Sequence, residues 1–517
     1  MRITRQGTGR LVSAVAALGM LVAGLAAPAA SATTTDPVYG NIDASKTGSI
    51  IIHKHERQTG DTVVSGSPDG TSGVGTKGIK DVTFTVYKVD GLDLATSAGW
   101  TNIDKVTLPG SVTADTTIDI NGTEHGLTAE TTVTTDSDGV ATAPGLSVAA
   151  YVVVETAHPA SVVDTASPFL VTIPYPDSSG TKGWLYDVHV YPKNGQATIS
   201  KTVDDQTTAG LGLGSTAFFP VTVTVPTLDE DSSFSYFVVK DPMDSKLSNV
   251  TVAVSLDGRK ITEDEGYFTS GSGNTVVSFT QSGLELLKTK GGKNLVVTFS
   301  GTVTSVGTIS NTAYLYVDTQ KTSTPPDDPE PPANPPSTPS DTVTQNWGAL
   351  TLHKYDADSG SAKTPLEGAV FEVYAAKTPY PADGTCSSTD TTGDAVSVNG
   401  STTFTSTADG TVTIPGLYVS DSVNGTVNSV FRCYVVKEVT APAGYVIPVG
   451  DKALTAVKVV KDATVSSATP VDVPNSKQTI PGLPLTGSSV MMILVSAGVL
   501  VLLGAGVLVV VRRRANR

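Results

Sequence analysis

In the last third of the chain, three predicted strands end in a lysine, a glutamate and an asparagine. Lys354 ends the run 349–354, Glu438 ends the run 434–438, and Asn475 ends the run 471–475. Burial disfavours the charged ammonium, so a lysine on such a strand tends to lose its proton. A neutral amine can attack an asparagine carboxamide and expel ammonia, while a carboxylic acid kept protonated by apolar surroundings polarises the carbonyl. These residues predict a Lys354–Asn475 amide bond between the first and last strands of one domain, with Glu438 as the acid.

The same combination of residue types recurs in the middle of the chain. Lys201 lies in a first strand at 198–202, and Asn311 lies in a last strand at 309–314. Asp241 follows the apolar residues 238–239 and is the candidate acid, with Asp244 as its rival. We therefore expect a second cross-link between Lys201 and Asn311.

The first third of the chain offers Lys54, Glu155 and Asn194 in comparable positions. Two interpretations stay open at this point. Either Lys54 and Asn194 form a third cross-link with Glu155 as the acid, or Lys54 extends its amine to water and Glu155 faces solvent.

The strands that carry these residues form two copies of one pattern, 300 residues apart. Residues 49–56 and 349–356 are apolar strands with a His-Lys pair, followed by strands at 82–87 and 370–374. Pro-Gly-Leu segments follow at 144–146 and 415–417, and then strands at 151–155 and 434–438. Alternation with period two predicts antiparallel sheets with one buried face. With little helical periodicity, the chain is predicted to be all-β and built of sandwiches.

The first 32 residues have the pattern of a secretion signal. Arg2, Arg5 and Arg10 precede an uncharged apolar run at 11–27, and Ala30-Ser31-Ala32 is a small-residue cleavage site. The mature chain is therefore expected to begin at Thr33. A transmembrane helix is the competing interpretation.

The C-terminal segment has three parts in fixed order. Its motif is Leu483, Pro484, Leu485, Thr486 and Gly487, and 22 uncharged residues at 490–511 are long enough to span a bilayer. Four arginines end the chain and should stay cytoplasmic. This segment resembles the cell-wall sorting signal of Gram-positive surface proteins. The resemblance implies that a sortase cleaves after Thr486 and holds it as a thioester until an amine accepts it; a simple single-pass anchor is the alternative.

Lys193 stands in the motif Tyr191-Pro192-Lys193-Asn194, after an apparent strand. The motif resembles the pilin motif of sortase-assembled pili, although a solvated surface charge is the ordinary role of a lysine. The resemblance implies that the Lys193 amine attacks the Thr486 thioester of another subunit. Such a head-to-tail contact does not close on itself and gives a fibre.

The whole layout resembles a three-domain major pilin of the Spa or actinobacterial fimbrial kind. The resemblance implies three immunoglobulin-like β-sandwich domains in tandem, CnaB-like, CnaA-like and CnaB-like. The expected boundaries are a signal peptide at 1–32, domains at 33–195, 196–320 and 342–477, a Pro-rich linker at 321–341 and the sorting signal at 478–517. Prolines at 324–339 predict a stiff polyproline spacer.

The charge of the mature chain argues against a nucleic-acid partner. Without the seven arginines of the two terminal segments, the 34 basic residues become 27 against 49 acidic ones, a net charge of −22. Such a charge suits a soluble, extended surface protein.

The two cysteines, Cys386 and Cys433, both lie in the last third of a secreted chain. An oxidising compartment makes a disulfide the expected state, with free thiols as the alternative.

The leading functional hypothesis is a structural pilin subunit, anchored to peptidoglycan in a surface fimbria. A monomeric wall-anchored adhesin with a β-sandwich stalk is the alternative. A secreted hydrolase is disfavoured because the six histidines form no recognisable catalytic constellation. We expect no cofactor and no metal. The resemblance implies a pilus-specific sortase, identical subunits, tip and base pilins, and host or bacterial surface ligands as partners.

Overall fold

The computed structural model describes residues 42–57, 66–177, 183–273 and 275–477. The predicted signal peptide, the sorting motif with Thr486 and the apolar segment after it lie outside these ranges. Within the described ranges, no helix is long and apolar enough to cross a lipid bilayer.

The N-terminal domain is a β-sandwich. Its elements are β1 Gly48–His53, β2 His55–Glu56, β3 Thr83–Val89, α1 Ser97–Trp100, β4 Ile118–Ile120, β5 Thr123–His125, β6 Leu127–Thr134, β7 Val140–Leu146, β8 Ala149–Ala157, β9 Val162–Asp164, β10 Phe169–Ile173, β11 Tyr175–Pro176, β12 Trp184–Leu185, β13 Asp187–Val190 and β14 Lys193–Gln196. The sheet β13-β1-β7 faces the sheet β10-β8-β3-β6, and a third sheet, β2-β14-β9, adjoins them. Ile50 and Ile52 of β1 pack with Tyr151 and Val153 of β8 in one core.

The middle domain is a second sandwich of two five-stranded sheets. Its elements are β15 Thr198–Lys201, β16 Thr216–Thr224, β17 Ser233–Lys240, β18 Leu247–Leu256, β19 Arg259–Ile261, α2 Glu263–Gly266, β20 Tyr267–Ser270, β21 Val276–Phe279, α3 Gln281–Lys288, β22 Asn294–Val303, β23 Gly307–Asn311, β24 Tyr314–Gln320 and β25 Thr338–Pro339. The sheets have the orders β15-β16-β22-β18-β19 and β20-β21-β17-β24-β25. Phe237, Phe279 and Phe299 fill the core between them.

The C-terminal domain repeats the architecture of the N-terminal one. Its elements are β26 Val343–Asp356, β27 Val370–Ala376, β28 Thr391–Thr392, β29 Thr403–Thr405, β30 Thr411–Asp421, β31 Phe431–Thr440, β32 Leu454–Val460 and β33 Val471–Asn475. β26 pairs antiparallel with β30 and parallel with β33, as β1 pairs with β7 and β13. The predicted all-β class and the predicted repeat are therefore confirmed.

The prediction that one strand at 309–314 is the last of the middle domain is wrong, both in where the strand ends and in its place in the order. β23 ends at Asn311, and β24 follows in the other sheet and pairs with β17. A short connection at 312–313 separates two strands that the apolar pattern merged into one.

The Pro-rich segment is not the stiff spacer that its composition predicts. β25 pairs with β24, the Gln281 amide donates to the Pro325 carbonyl at 3.2 Å, and the Ser340 N–H donates to the Ala313 carbonyl at 2.8 Å. Proline lacks an N–H but is tolerated on an edge strand. The segment therefore returns along the middle domain.

The middle and C-terminal domains share β-structure and core at their junction. The first residues of β26 pair with β23 of the middle domain. Phe219 and Leu213 of the middle domain belong to the same hydrophobic core as Trp347 and Leu417. The two sandwiches are therefore joined by a sheet and a common core.

Candidate functional site

The C-terminal domain brings its predicted lysine, glutamate and asparagine into mutual contact. Parallel pairing of β26 with β33 places the end of the last strand beside Lys354. The fully buried Lys354 Nζ donates to Glu438 Oε2 at 3.0 Å and to Asn475 Oδ1 at 2.6 Å. Asn475 Nδ2 donates to Glu438 Oε1 at 2.7 Å. The carboxyl group thus touches both the amine and the amide nitrogen that would leave.

Burial shapes the electrostatics of this set. Removal from water lowers the pKa of Lys354, and the negative charge of Glu438 opposes that shift only in part. The Phe371 ring lies 5.8 Å from the amine nitrogen. A larger fraction of neutral amine favours attack on a carbonyl.

The N-terminal domain contains the same arrangement. Lys54 Nζ donates to Glu155 Oε2 at 2.9 Å and also contacts Asn194 Oδ1, while Asn194 Nδ2 donates to Glu155 Oε1 at 2.6 Å. Lys54 is fully buried and the Glu155 side chain is 1% exposed. The alternative in which Lys54 reaches water and Glu155 faces solvent is therefore wrong.

Two features of the N-terminal set favour reaction. The backbone N–H of Ala166 donates to Asn194 Oδ1 at 2.8 Å, where negative charge would develop during attack on the carboxamide. Burial lowers the pKa of Lys54 to about 8, against the opposing charge of Glu155. Sequence inspection missed the Ala166 donor because a backbone amide carries no residue-type signal.

The middle domain also brings its predicted lysine, aspartate and asparagine together, but with fewer contacts among them than in the other two domains. Lys201 Nζ pairs with Asp241, and Asn311 Nδ2 lies 3.4 Å from Asp241 Oδ2. Asn311 Oδ1 and Asp241 Oδ1 are buried without a hydrogen-bond partner among the described residues. Burial raises the pKa of Asp241 and lowers that of Lys201. The rival acid Asp244 instead bonds the Lys246 ammonium at 3.2 Å.

Lys193 begins β14, which runs parallel to β2. Because side chains alternate along a strand, Asn194 is buried in the cross-link set while Lys193 remains partly exposed. Lys193 lines a surface cleft of about 280 Å³ together with Phe169 and Tyr191. Partial burial, and secondly the charge of Arg57, lower the pKa of Lys193.

Cys386 and Cys433 form a disulfide. Cys433 is a buried residue of β31, and Cys386 lies in the insertion between β27 and β28. The bond ties this insertion to the body of the C-terminal domain, as expected. Among the described residues no cluster of histidine, cysteine or carboxylate side chains could hold a metal ion.

An ionic cluster at the junction of the N-terminal and middle domains was not foreseen from the sequence. The Arg57 guanidinium pairs with Asp229 of the middle domain. Asp164 accepts from Lys321 Nζ and from Ser232 Oγ, both at 3.0 Å. Because these partners are up to 172 residues apart in the chain, no local sequence pattern indicates the contact.

Three family models match the chain. A Gram-positive pilin subunit D1 N-terminal domain matches residues 45–195, a prealbumin-like fold domain matches residues 348–471, and an LPXTG cell wall anchor motif matches residues 475–516. The three matches together define a pilin with a wall anchor.

Curated relatives cover nearly the whole chain. Fimbrial subunit type 2 of Actinomyces naeslundii is 39% identical over 98% of this chain and 97% of its own length. Fimbrial subunit type 1 of Actinomyces viscosus is 30% identical over 96% of this chain and 95% of its own length. The full-length major pilin SpaD of Corynebacterium diphtheriae shares the fold, with a TM-score of 0.61 at 23% identity over 85% of this chain and 99% of its own.

The chain belongs to the family of Gram-positive fimbrial subunits. It is a structural pilin of the cell surface, polymerised by a sortase and anchored to the cell wall.

Proposed function

We propose that this major pilin is joined to the next subunit by an amide bond between Lys193 Nζ and the carbonyl carbon of Thr486. Sortase releases Gly487 and holds Thr486 as a thioester on its cysteine. The neutral Lys193 amine then attacks the thioester carbon, the carbon–sulfur bond breaks, and the proton of the amine passes to the leaving thiolate. The alternative, a monomeric adhesin, would leave Lys193 without this role.

The observation that carries this proposal is the position of Lys193 at the start of β14. Its neighbour Asn194 points into the core, whereas Lys193 lines a surface cleft. The lowered pKa of Lys193 increases the fraction of free amine available for attack. These features support one amine in a defined place rather than any surface lysine.

Replacement of Lys193 tests the linkage. Cells that produce Lys193→Ala should secrete and anchor the subunit but show one monomer band in place of a ladder of covalent polymers. Lys193→Arg should give the same single band, because a guanidinium stays protonated and cannot attack. Persistence of the ladder in either variant would contradict the assignment of Lys193.

We further propose three intramolecular amide bonds, Lys54–Asn194, Lys201–Asn311 and Lys354–Asn475. Glu155, Asp241 and Glu438 are the respective acids. In each reaction the neutral lysine nitrogen bonds to the asparagine carbonyl carbon, and the carbon–nitrogen bond of the carboxamide breaks. The acid passes a proton from the lysine nitrogen to the leaving nitrogen, which departs as ammonia. The contacts of the acid with both reacting groups in the N-terminal and C-terminal sets support this role.

The purpose of these bonds is mechanical. Tension on the fibre would enter at Lys193 and leave through Thr486, so both later domains lie on the loaded path. Lys354–Asn475 joins the first and last strands of its domain, so it would carry this force without unfolding the strands between them. Lys201–Asn311 would do the same for β15 to β23, whereas β24 and β25 follow Asn311 and lie outside its loop. Lys54–Asn194 protects less of the path because the N-terminus bears no further subunit.

The partners proposed for the assembled fimbria follow from this role. They are a pilus-specific sortase, identical subunits, tip and base pilins, and peptidoglycan. Host or bacterial surface ligands complete the set.

A further inference from the structure

Arg57 connects the backbone of the linkage lysine to the middle domain. Its Nη2 donates to the Lys193 carbonyl oxygen at 3.1 Å and to Asp229 Oδ2 at 2.9 Å, and its Nη1 donates to Asp229 Oδ1. The guanidinium can hold these acceptors together because its N–H groups are fixed in a planar fork. Its side chain is only 17% exposed.

The acceptor on the middle domain is itself held in place. The Asp229 backbone N–H donates to Asp164 Oδ2 at 2.9 Å. Asp164 is fully buried, and its other oxygen accepts from Lys321 and Ser232. The contact from Asp229 through Arg57 to Lys193 therefore rests on an ordered cluster rather than on one mobile surface pair.

We propose that Arg57 is a positioning residue for acyl transfer to Lys193. It holds the Lys193 backbone against the middle domain through Asp229 and places a positive charge beside the reacting amine. This inference rests on the linkage function proposed above. It makes the reactivity of Lys193 depend on correct seating of the N-terminal domain on the middle domain.

The positive charge of Arg57 sets the direction in which its removal changes the pKa of Lys193. Arg57 and Asp229 line the same cleft as Lys193, Tyr191 precedes it in the chain, and His55 lies opposite it in register on β2. Behind Arg57 lie the charges of Asp164 and Lys321. A positive neighbour disfavours the ammonium form, so removal of Arg57 should raise the pKa of Lys193 and leave less free amine near neutral pH.

The test compares full-length chains with purified sortase over a pH series. The variants are Arg57→Gln and Arg57→Lys. Arg259→Gln is the matched control, since Arg259 pairs with Glu265 at 2.9 Å on the exposed surface of the middle domain. Acetylation of Lys193 by a small activated ester, followed by mass spectrometry, reports the amine pKa without sortase.

We expect Arg57→Gln to slow covalent dimer formation on the order of tenfold and to shift the midpoint of Lys193 acetylation to higher pH. Arg57→Lys should keep the midpoint near its original pH but remain slow, because the single nitrogen of lysine cannot reproduce the planar fork that pairs both Asp229 oxygens and the Lys193 carbonyl. Arg259→Gln should match the unmodified chain in both assays.

Asp229→Asn tests the same contact from the other domain. It replaces one of the two acceptor oxygens by an NH2 donor and removes the negative charge that pairs with the guanidinium, while the positive charge of Arg57 stays. It should therefore slow dimer formation without raising the midpoint of acetylation. This variant also decides the matter if Arg57→Gln fails to fold.

Two results would overturn the proposal. One is a normal dimerisation rate with an unchanged midpoint in Arg57→Gln and a normal rate in Asp229→Asn. The other is slow dimer formation in Arg57→Gln with an unchanged midpoint of acetylation, together with a fully normal rate in Arg57→Lys. That result would assign Arg57 a structural role only. Lys193→Ala tests the linkage function separately from the role of Arg57, because polymer in that chain would refute the linkage through Lys193 whatever the Arg57 variants show.

Discussion

Replacement of Glu438 by glutamine should leave the C-terminal domain folded but without its cross-link. Glutamine has nearly the same shape and can still contact Lys354 and Asn475. It has no acidic proton to deliver to the leaving amide nitrogen. The amine and the carboxamide, 2.6 Å apart from Nζ to Oδ1, would then remain unreacted.

The expected loss of stability follows from the loop that the bond closes. Lys354 and Asn475 are 121 residues apart, and the disulfide bypasses 47 of the residues between them. About 74 residues remain in the loop, for which the chain-entropy relation gives about 4.5 kcal/mol at 25 °C. For a domain of this size, the thermal midpoint should fall by roughly 10–20 °C.

The assay combines intact mass with calorimetry of the mature chain. Loss of one cross-link should add about 17 Da beyond the mass change of the substitution itself, because the ammonia is no longer expelled. Glu372→Gln is the matched control. Glu372 lies on β27, in the same sheet as Glu438, and accepts from the Tyr374 hydroxyl at 2.6 Å without contacting the cross-link residues. A Glu438→Gln chain whose mass differs only by the substitution itself would rule out Glu438 as the acid. The added mass with an unchanged midpoint would refute the entropic reasoning.

Three further predictions follow from the other sets. Cys386→Ala should cost about 4 kcal/mol of local stability in the chain-entropy model and open residues 378–394 to protease, while polymers persist; loss of all polymer despite normal secretion would show that the disulfide is needed for a sortase-competent fold. In Asn194→Ala the unbonded Lys54 has a folded pKa of about 8, below its unfolded value, so the unfolded chain binds more protons between these two values. The free energy of unfolding should therefore rise as pH increases from about 8 to about 10.4. A chain with both Lys54→Met and Asn194→Ala should lack this rise, and an equal rise in both chains would exclude Lys54 as its source. Asp241→Asn should remove the Lys201–Asn311 bond and add about 17 Da beyond the substitution itself, whereas Asp244→Asn should not; the reverse result would make Asp244 the acid.

Local pattern was sufficient to predict the two sandwiches that carry the repeat. Apolar strands with a lysine near one end, a glutamate on another and an asparagine on the last are visible in residues 349–354, 434–438 and 471–475. Parallel pairing of the first and last strands brings Lys354 beside Asn475, and Glu438 reaches both from β31 of the facing sheet.

Features that depend on packing between domains were not predictable from the sequence. The Pro-rich segment has the composition of a spacer, yet β25 finds a partner in β24 because an edge strand tolerates proline. The start of β26 pairs with β23 across a predicted boundary. The contact of Arg57 with Asp229 likewise depends on how two domains meet, which no spacing of residues records.

Tandem mass spectrometry of purified fimbriae tests the central claim most directly. Polymers released from the cell wall are digested with protease, and the branched peptides are sequenced. The account predicts one branched species, in which Lys193 Nζ is acylated by the carbonyl of Thr486 from a second subunit. Polymers in which Lys193 is unmodified and Thr486 is attached to a different lysine would contradict it.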